Sequence, residues 1–283
     1  MPDDIAATEL EAYKAYVGRS VNETDLVGAP LAARFAATLG RPHKGAALPP
    51  MWHYGLFLTT ASTAELGSDG HPPRGVFMPP VSLPRRMFAG SDIRFMRPLM
   101  IGQEVVRCSR IAAVDHRRGK SGDLVFVCIA IRLSQAGAVC IEEEQTIVYC
   151  SGSARRSAVV ETTRRPLTAG EIAEEWRPTT IELFRFSSAT FNAHRVHYDR
   201  PYAIEEEGYP SLVVHGPLIA TRLCDFAERI ARKNLARFTF RSEAPAFVEQ
   251  PIRFIGSLKD GACVVLAERA DGITAMSAVA TLS

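Results

Sequence analysis

No run in this sequence approaches the roughly 18 consecutive apolar residues of a membrane span, and its first residues, Met1-Pro-Asp-Asp-Ile5, are acidic and lack the apolar core of a signal peptide. A cytoplasmic location is the expectation. Charge of one sign is missing too. The 33 Lys plus Arg and 31 Asp plus Glu leave a net charge of +2, so no long-range field favours nucleic acid or an anionic membrane, and any anion site must be local. Cysteine pairs are absent. The six cysteines (Cys108, Cys128, Cys140, Cys150, Cys224, Cys263) lie scattered in mostly apolar runs, with no C-x-x-C and no metal-ligand spacing, which reads as reduced core residues. There is no Walker loop, G-x-G-x-x-G, G-x-S-x-G or H-E-x-x-H, so nucleotide hydrolysis, dinucleotide redox chemistry, serine hydrolysis and zinc proteolysis lose their usual sequence support. Neither a metal nor a bound redox cofactor is expected.

What is present is an ordinary globular composition. With 283 residues, 47% hydrophobic and 23% charged, the chain can bury one large core or two modest ones. Helical patterns occupy 8–17 and 29–39. Runs rich in Val, Ile and Phe follow at 92–95, 104–113, 124–133 and 138–149, separated by Gly102, by the 117–122 segment and by 135–137, all turn chemistry. This predicts an antiparallel meander. From 151 to 179 the chain loses apolar periodicity and turns rich in Ser, Arg, Thr and Glu, as an exposed connection does. The second part repeats the first in outline: a polar segment, a helix at 217–232, and strands near 237–241, 250–255, 262–269 and 274–282. Weak textual echoes support duplication: 31–39 can be laid beside 183–191, and 94–98 beside 241–245, at a shift of roughly 150 residues, about one small domain.

The most informative stretch is Thr190-Phe-Asn-Ala-His-Arg-Val-His-Tyr-Asp199, followed by Val213-Val-His-Gly-Pro-Leu218. It sets titratable groups just upstream of a glycine and proline that read as a helix start. The pattern resembles the MaoC-like hydratases and dehydratases. More narrowly, it is similar to the mesaconyl-CoA and itaconyl-CoA hydratases and the fungal mitochondrial-type 3-hydroxyacyl-thioester dehydratases. First-half stretches fit the same branch: Pro49-Pro-Met-Trp-His53, the run from Phe77 to Gly90, and the run from Arg94 to Glu104. The resemblance implies an α+β double hot dog, two antiparallel sheets each wrapped around a long central helix. Its units would be 1–150 (degenerate), a linker at 151–179, and 180–283 carrying the motif. In the second unit Leu218, Ile219, Leu223, Phe226 and Ile230 would form the buried stripe.

The activity implied is reversible addition of water to a 2-enoyl thioester, first a short branched or dicarboxylic acyl-CoA of the mesaconyl or itaconyl kind. A 3-hydroxyacyl-ACP dehydratase, an acyl-CoA thioesterase on the same scaffold and a non-catalytic acyl-thioester binding module are the alternatives. Hydration needs a base for water, an acid for the α-carbon and a donor for the enolate oxygen. His197 matches the histidine that holds the water, and Gly216 the glycine that contacts the oxyanion at the dipole's positive end. The general motif carries an aspartate five residues before its histidine. Here Asn192 stands there, or Thr190 if the asparagine is aligned instead, and neither is a base. Asp199 or His194 would then orient His197, and Asn192 would fix water or the thioester. His215 packs or caps the helix start, or takes part directly. Tyr198 and Tyr202 bond the acyl group or pack. Arg85, Arg86 and Arg195 grip a coenzyme A phosphate or a substrate carboxylate, or are solvated. Coenzyme A enters as part of the substrate. No nucleic-acid or membrane partner is expected, and exposed sheet edges are compatible with a homodimer.

Overall fold

Burial with a period of two shapes most of the chain. The computed structural model describes residues 5–119, 122–151 and 160–283. Over Gly122–Gln135, Val125, Val127 and Ile129 are buried while the residues between them are half-buried, the alternation that lays one strand face on a core. The acidic start at 1–4, Lys120 and Ser121 of the expected 117–122 turn, and 152–159 of the expected linker lie outside the described residues.

Among the described residues the order is α1 (Ala7–Lys14), β1 (Ser20–Leu26), α2 (Ala29–Leu39), β2 (Ala47–Leu48), β3 (Arg85–Phe95), β4 (Leu99–Met100), β5 (Glu104–Gly119), β6 (Gly122–Gln135) and β7 (Ala138–Cys150). There follow β8 (Ile172–Trp176), α3 (Thr180–Thr190), α4 (Gly216–Ala231), β9 (Leu235–Ser242), β10 (Ile252–Lys259), β11 (Ala262–Glu268) and β12 (Thr274–Leu282). Ten strands form one antiparallel sheet in the order β1-β5-β6-β7-β3-β9-β12-β11-β10-β8, while β2 and β4 pair separately. Outward from the centre both sides repeat one plan: β3, β7, β6, β5, β1 and β9, β12, β11, β10, β8.

The seam is the β3–β9 pair, running from Gly90 opposite Arg241 to Arg94 opposite Arg237. Gly90 is required there. Its φ is 159° beside a bulge in β3, and a Cβ would come 2.3 Å from the Phe240 carbonyl oxygen, so a side chain would push the two strands apart. Asp92, two residues on, ties the seam, accepting from Arg237 Nε at 2.6 Å and from the Thr239 hydroxyl at 3.1 Å.

Helix α4 lies on β9 to β12. Leu218, Leu223 and Phe226 on its inner face are buried, each such side chain contributing about 1.5–3 kcal/mol on burial. Glycine and proline open the helix, where the missing proline N–H breaks no helical bond. Ile230, expected in the buried stripe, is half-buried at its rim. In the first half, Tyr13 of α1 and Val81 and Leu83 of the following loop cover the inner face of β5 to β7 instead. Arg74 fastens that loop, its Nη1 donating to the Val81 and Leu83 carbonyls at 2.5 and 2.6 Å.

Three expectations are corrected. The strands form one continuous sheet rather than two, because β3 and β9 pair across the seam. The long helix occurs once among the described residues: α2 has 11 residues against 16 in α4. Cys108 is exposed rather than a core residue, although all six cysteines are free thiols. The stretch 151–179 carries β8, which pairs with β10 from Trp176 opposite Ile252 to Ile172 opposite Gly256. The first textual echo has a structural counterpart. The 31–39 and 183–191 stretches fall on α2 and α3, whose C-terminal caps are both left-handed, at Gly40 and Phe191. These helices meet through Phe35 and Phe186, ring centroids 5.9 Å apart. No helix among the described residues is long and apolar enough to cross a membrane.

Candidate active site

The motif begins where α3 ends. A capping box at Thr179 and Glu182 starts that helix, and Phe191, with φ 49°, stops it. The chain then turns on itself, Asn192 Oδ1 accepting from the His194 N–H at 3.0 Å, an Asx turn of the kind asparagine favours. A 3-10 turn, Arg195–His197, buries Val196 and His197. Val196 anchors it against Tyr209 and Phe247.

His197 is 8% exposed, and its Nδ1 lies 2.8 Å from the Val213 carbonyl oxygen. A carbonyl only accepts, so Nδ1 carries the proton and Nε2 keeps a bare lone pair. His215 stacks on the same ring, centroids 3.6 Å apart and planes at 20°, and is itself tied to the Ser187 hydroxyl at 2.9 Å. Burial holds His197 neutral, with a pKa pulled down to about 4 against the opposing pull of the Val213 carbonyl. Burial, then His71 and His197, take His194 down to about 2. For His215, burial and the neighbouring imidazoles push the pKa well below its ordinary value.

These groups border a cleft of about 350 Å³, within the size range of small-molecule sites. His197 and Gly216 both line it, as do Asn192 and His194. Gly216 opens α4, so its N–H has no partner within the helix and is available to an oxygen in the cleft. Beside it the Ser242 hydroxyl is buried without a hydrogen-bond partner among the described residues. Met87, Phe88, Val148 and Ile219 give the cleft an apolar wall.

The first half of the chain supplies the rest. The turn at 67–71 docks on the motif: the Asp69 carbonyl accepts from the Arg195 N–H at 2.9 Å, and the Ser68 carbonyl from Arg195 Nη1 at 2.9 Å. Gly70 makes the docking close. At φ +86°, a Cβ there would sit 1.9 Å from the Ala193 carbonyl oxygen. Asp69 and His71 thereby line the same cleft, with His71 Nδ1 3.0 Å from Asp69 Oδ2 and the His71 and His194 rings 4.1 Å apart. Burial opposes ionisation of Asp69, but the bonds from the His71 ring and backbone prevail and hold its carboxyl below the usual range. Sequence reasoning missed Asp69, His71 and Ser242. The Asp69-Gly-His71 spacing was the available signal for the first two.

The predicted residues divide. His197, Gly216, Asn192, His194, Arg85 and Arg86 line the cleft. Arg85 Nε is paired with Glu207 at 3.0 Å and its guanidinium lies 4.9 Å from the Tyr209 ring centre, whereas Arg86 is half-buried and has no ion pair among the described residues. The others lie outside the lining. Asp199 accepts from Arg195 at 2.7 Å and from the Tyr202 N–H at 3.1 Å, so it braces the loop and does not orient His197, a role the Val213 carbonyl fills. Arg195 is consumed by Asp199 and the Tyr202 ring. Thr190 bonds the Phe186 carbonyl at 2.7 Å, Tyr198 is 51% exposed, Tyr202 bonds Glu207 at 3.1 Å, and His215 stands behind His197.

Comparisons with known proteins agree with this architecture. The family model for hydroxyacyl-thioester dehydratase type 2 matches residues 51–248. A mesaconyl-C(4)-CoA hydratase from Chloroflexus aurantiacus is 43% identical over 274 residues, which is 95% of this chain and 98% of the relative. A mitochondrial hydroxyacyl-thioester dehydratase type 2 from Schizosaccharomyces pombe is 32% identical over 235 residues, 73% of this chain and 76% of its own. In shape, the crystal structure of HtdX from Mycobacterium tuberculosis superposes with a TM-score of 0.69 at 18% identity, covering 94% of this chain and 100% of that one.

Proposed function

The chain belongs to the hydroxyacyl-thioester dehydratase type 2 family, MaoC-like hydro-lyases, and from that premise we propose that it reversibly hydrates a short 2-enoyl-CoA bearing a free carboxylate, of the mesaconyl kind. One observation carries the chemistry: a histidine with its Nε2 lone pair bare and the first N–H of a helix line the same cleft. Water bonded to His197 Nε2 attacks the β-carbon, and the thioester oxygen, accepting from the Gly216 N–H, takes up negative charge as the enolate forms. Asn192 orients the water or the thioester from the cleft wall. The reaction draws on acid–base chemistry alone and asks for no metal or redox group.

The substrate class rests on Arg86. Arg85 is already matched by Glu207, but Arg86 brings a half-buried cation into the cleft with no carboxylate paired to it among the described residues. A substrate carboxylate is the complement such a guanidinium selects. The relative from Chloroflexus is named for such a substrate. The repeated five-strand plan supports reading the chain as a double hot dog at 1–150 and 180–283, joined through 151–179, with the first unit's long helix given up. A cytoplasmic enzyme is part of the same proposal, as is a homodimer through the exposed edges β1 and β8.

The test is an assay of the purified protein on mesaconyl-C4-CoA, itaconyl-CoA, crotonyl-CoA and a 2-enoyl acyl carrier protein, following loss of enoyl-thioester absorbance. Turnover of the first two well above crotonyl-CoA is expected. Preference for the carrier-protein thioester would move the substrate to the dehydratase alternative. Release of free thiol would make the protein a thioesterase, and tight binding without conversion a binding module.

A further inference from the structure

The general motif pairs its histidine with an aspartate that this chain lacks, so the reaction proposed above has a water acceptor without a carboxylate behind it. We propose that the other half of the chain supplies the missing pair: His71 is a catalytic acid–base residue facing His197 across the cleft, and Asp69 is its positioning residue. The inference rests on the hydratase reading and goes beyond it by naming where the proton travels.

Geometry carries the argument. Asp69 Oδ1 accepts the His71 backbone N–H at 2.9 Å, an Asx turn that fixes the loop, while Oδ2 faces the His71 ring nitrogen Nδ1 at 3.0 Å. An ionised carboxylate only accepts, so Nδ1 carries the proton and Nε2 holds the lone pair. Among the described residues neither His71 Nε2 nor His197 Nε2 has a hydrogen-bond partner, and both residues line the cleft. Their backing differs. His197 leans on the Val213 carbonyl, whereas His71 alone of the four clustered imidazoles (His71, His194, His197, His215) bonds a carboxylate among the described residues. In a desolvated site a carboxylate stabilises an imidazolium far better than a carbonyl does. Burial, then Arg86 and Arg74, oppose protonation of His71, and the neutral His194 ring packs against it.

The proton path follows. One hydrogen of the bound water is held by His197 Nε2 and the other by His71 Nε2. As the water oxygen bonds to the β-carbon, its hydrogen passes to His71, the double-bond pair shifts toward the α-carbon and the carbonyl pair moves onto the thioester oxygen at Gly216. The enolate then collapses, and the α-carbon takes that proton back from His71. Water has been added and both imidazoles are neutral again, with no other reactant consumed. His197 stays neutral throughout.

Asp69→Asn tests this with little structural change. Asn keeps the oxygen that accepts the His71 backbone N–H, but its amide donates to Nδ1 and forces the proton onto Nε2, removing the lone pair from the cleft. The full-length protein hydrating mesaconyl-C4-CoA and crotonyl-CoA should lose about 10²–10³-fold in kcat with KM changed only a few-fold, and the acid limb of its kcat/KM profile should move to lower pH. His71→Asn should match that loss, as should the double variant, since the two act as a unit. Histidine ¹⁵N spectra of wild type, assigned by the peaks that vanish in His71→Asn, should show His71 protonated at Nδ1. A wild-type His71 protonated at Nε2 overturns the proposal whether or not the variants fold. So does an Asp69→Asn enzyme with kcat within threefold of wild type and an unmoved acid limb, while His197→Asn is inactive. That second result leaves hydration intact, whereas wild type inert on every enoyl thioester removes the hydratase reading itself.

Discussion

An imidazole acts as a base only through a nitrogen that lacks a proton, and at this site backbone and carboxylate acceptors decide which nitrogen that is. His197→Asn removes the lone pair that the Val213 carbonyl leaves on Nε2, and kcat should fall by about 10²–10⁴-fold in steady-state hydration while the circular dichroism spectrum is retained. Arg86→Gln should act on KM instead. If its guanidinium meets a substrate carboxylate, a charge-assisted bond of about 1.5–3 kcal/mol is lost, so KM for mesaconyl-C4-CoA should rise about 10- to 100-fold. For crotonyl-CoA, which has no carboxylate, KM should stay within a few-fold of wild type, and an equal rise in KM on both substrates would refute the clamp. At this scale the sequence was half legible. His197 and Gly216 could be picked out because local patterns, a motif and a helix start, mark them. Asp69 and His71 could not, because their meaning arises only when a turn from the first half lands on the second, and Asp199 misled because nearness in sequence stood in for nearness in space.

Elements explain how that landing is held. The turn at 67–71 reaches the motif through a glycine with no room for a methyl group, so Gly70→Ala must lift the turn from the Ala193 carbonyl and carry Asp69 and His71 away with it. A misplacement of about 1 Å is worth roughly 10²-fold in rate, and kcat/KM should drop on that order with only a modest fall in melting temperature. Wild-type kcat/KM in this variant would separate the turn from catalysis. A second knot is purely structural. Glu143 of β7 is 3% exposed and accepts from His53 at 3.2 Å, Tyr54 at 2.9 Å, Ser91 at 2.7 Å and Gln145 at 3.0 Å. Burial works against its charge, but His53 and the other donors outweigh it and hold the carboxyl below its ordinary pKa. Glu143→Ala takes the acceptor from His53, Tyr54 and Gln145, while Ser91 keeps the Glu144 carbonyl, and about 3–5 kcal/mol of stability should go with it, read by denaturant unfolding. Helix α4 and the strands of the meander were legible from apolar periodicity, most closely β12 at 274–282. The missed strands β1 and β8 are the sheet's two edges. Their sequences, SVNETDL and IAEEW, each carry two acidic residues, Glu23 and Asp25 in one and Glu174 and Glu175 in the other, and that charge hides them from a search for hydrophobic runs.

For the whole molecule, the cost of the site is a sensitivity to acid. A cluster of imidazoles gathered from both halves is kept neutral by burial, with His197 at about 4 and His194 at about 2 against an ordinary 6.5. Between those values an unfolded histidine binds a proton that the folded one refuses. The unfolded state then holds more protons, so stability falls as pH drops from 6.5 toward 4, and none of this penalty remains above about pH 7. His197 alone accounts for about 2 kcal/mol at about pH 5, several degrees of melting temperature for a chain of this size. Carboxylates act in a separate window. Asp69 and Asp92 have pKa values held below the ordinary one, so their contribution persists until the pH falls through those lower values. Thermal melts should therefore decline between about pH 7 and 5, before the ion pairs titrate. His194→Asn should flatten that part of the curve, because it removes one of the groups that must stay neutral. A wild-type melting temperature unchanged across this interval would mean that the imidazoles are solvated in the folded protein, and the dry cleft on which the hydration chemistry depends would be lost with it.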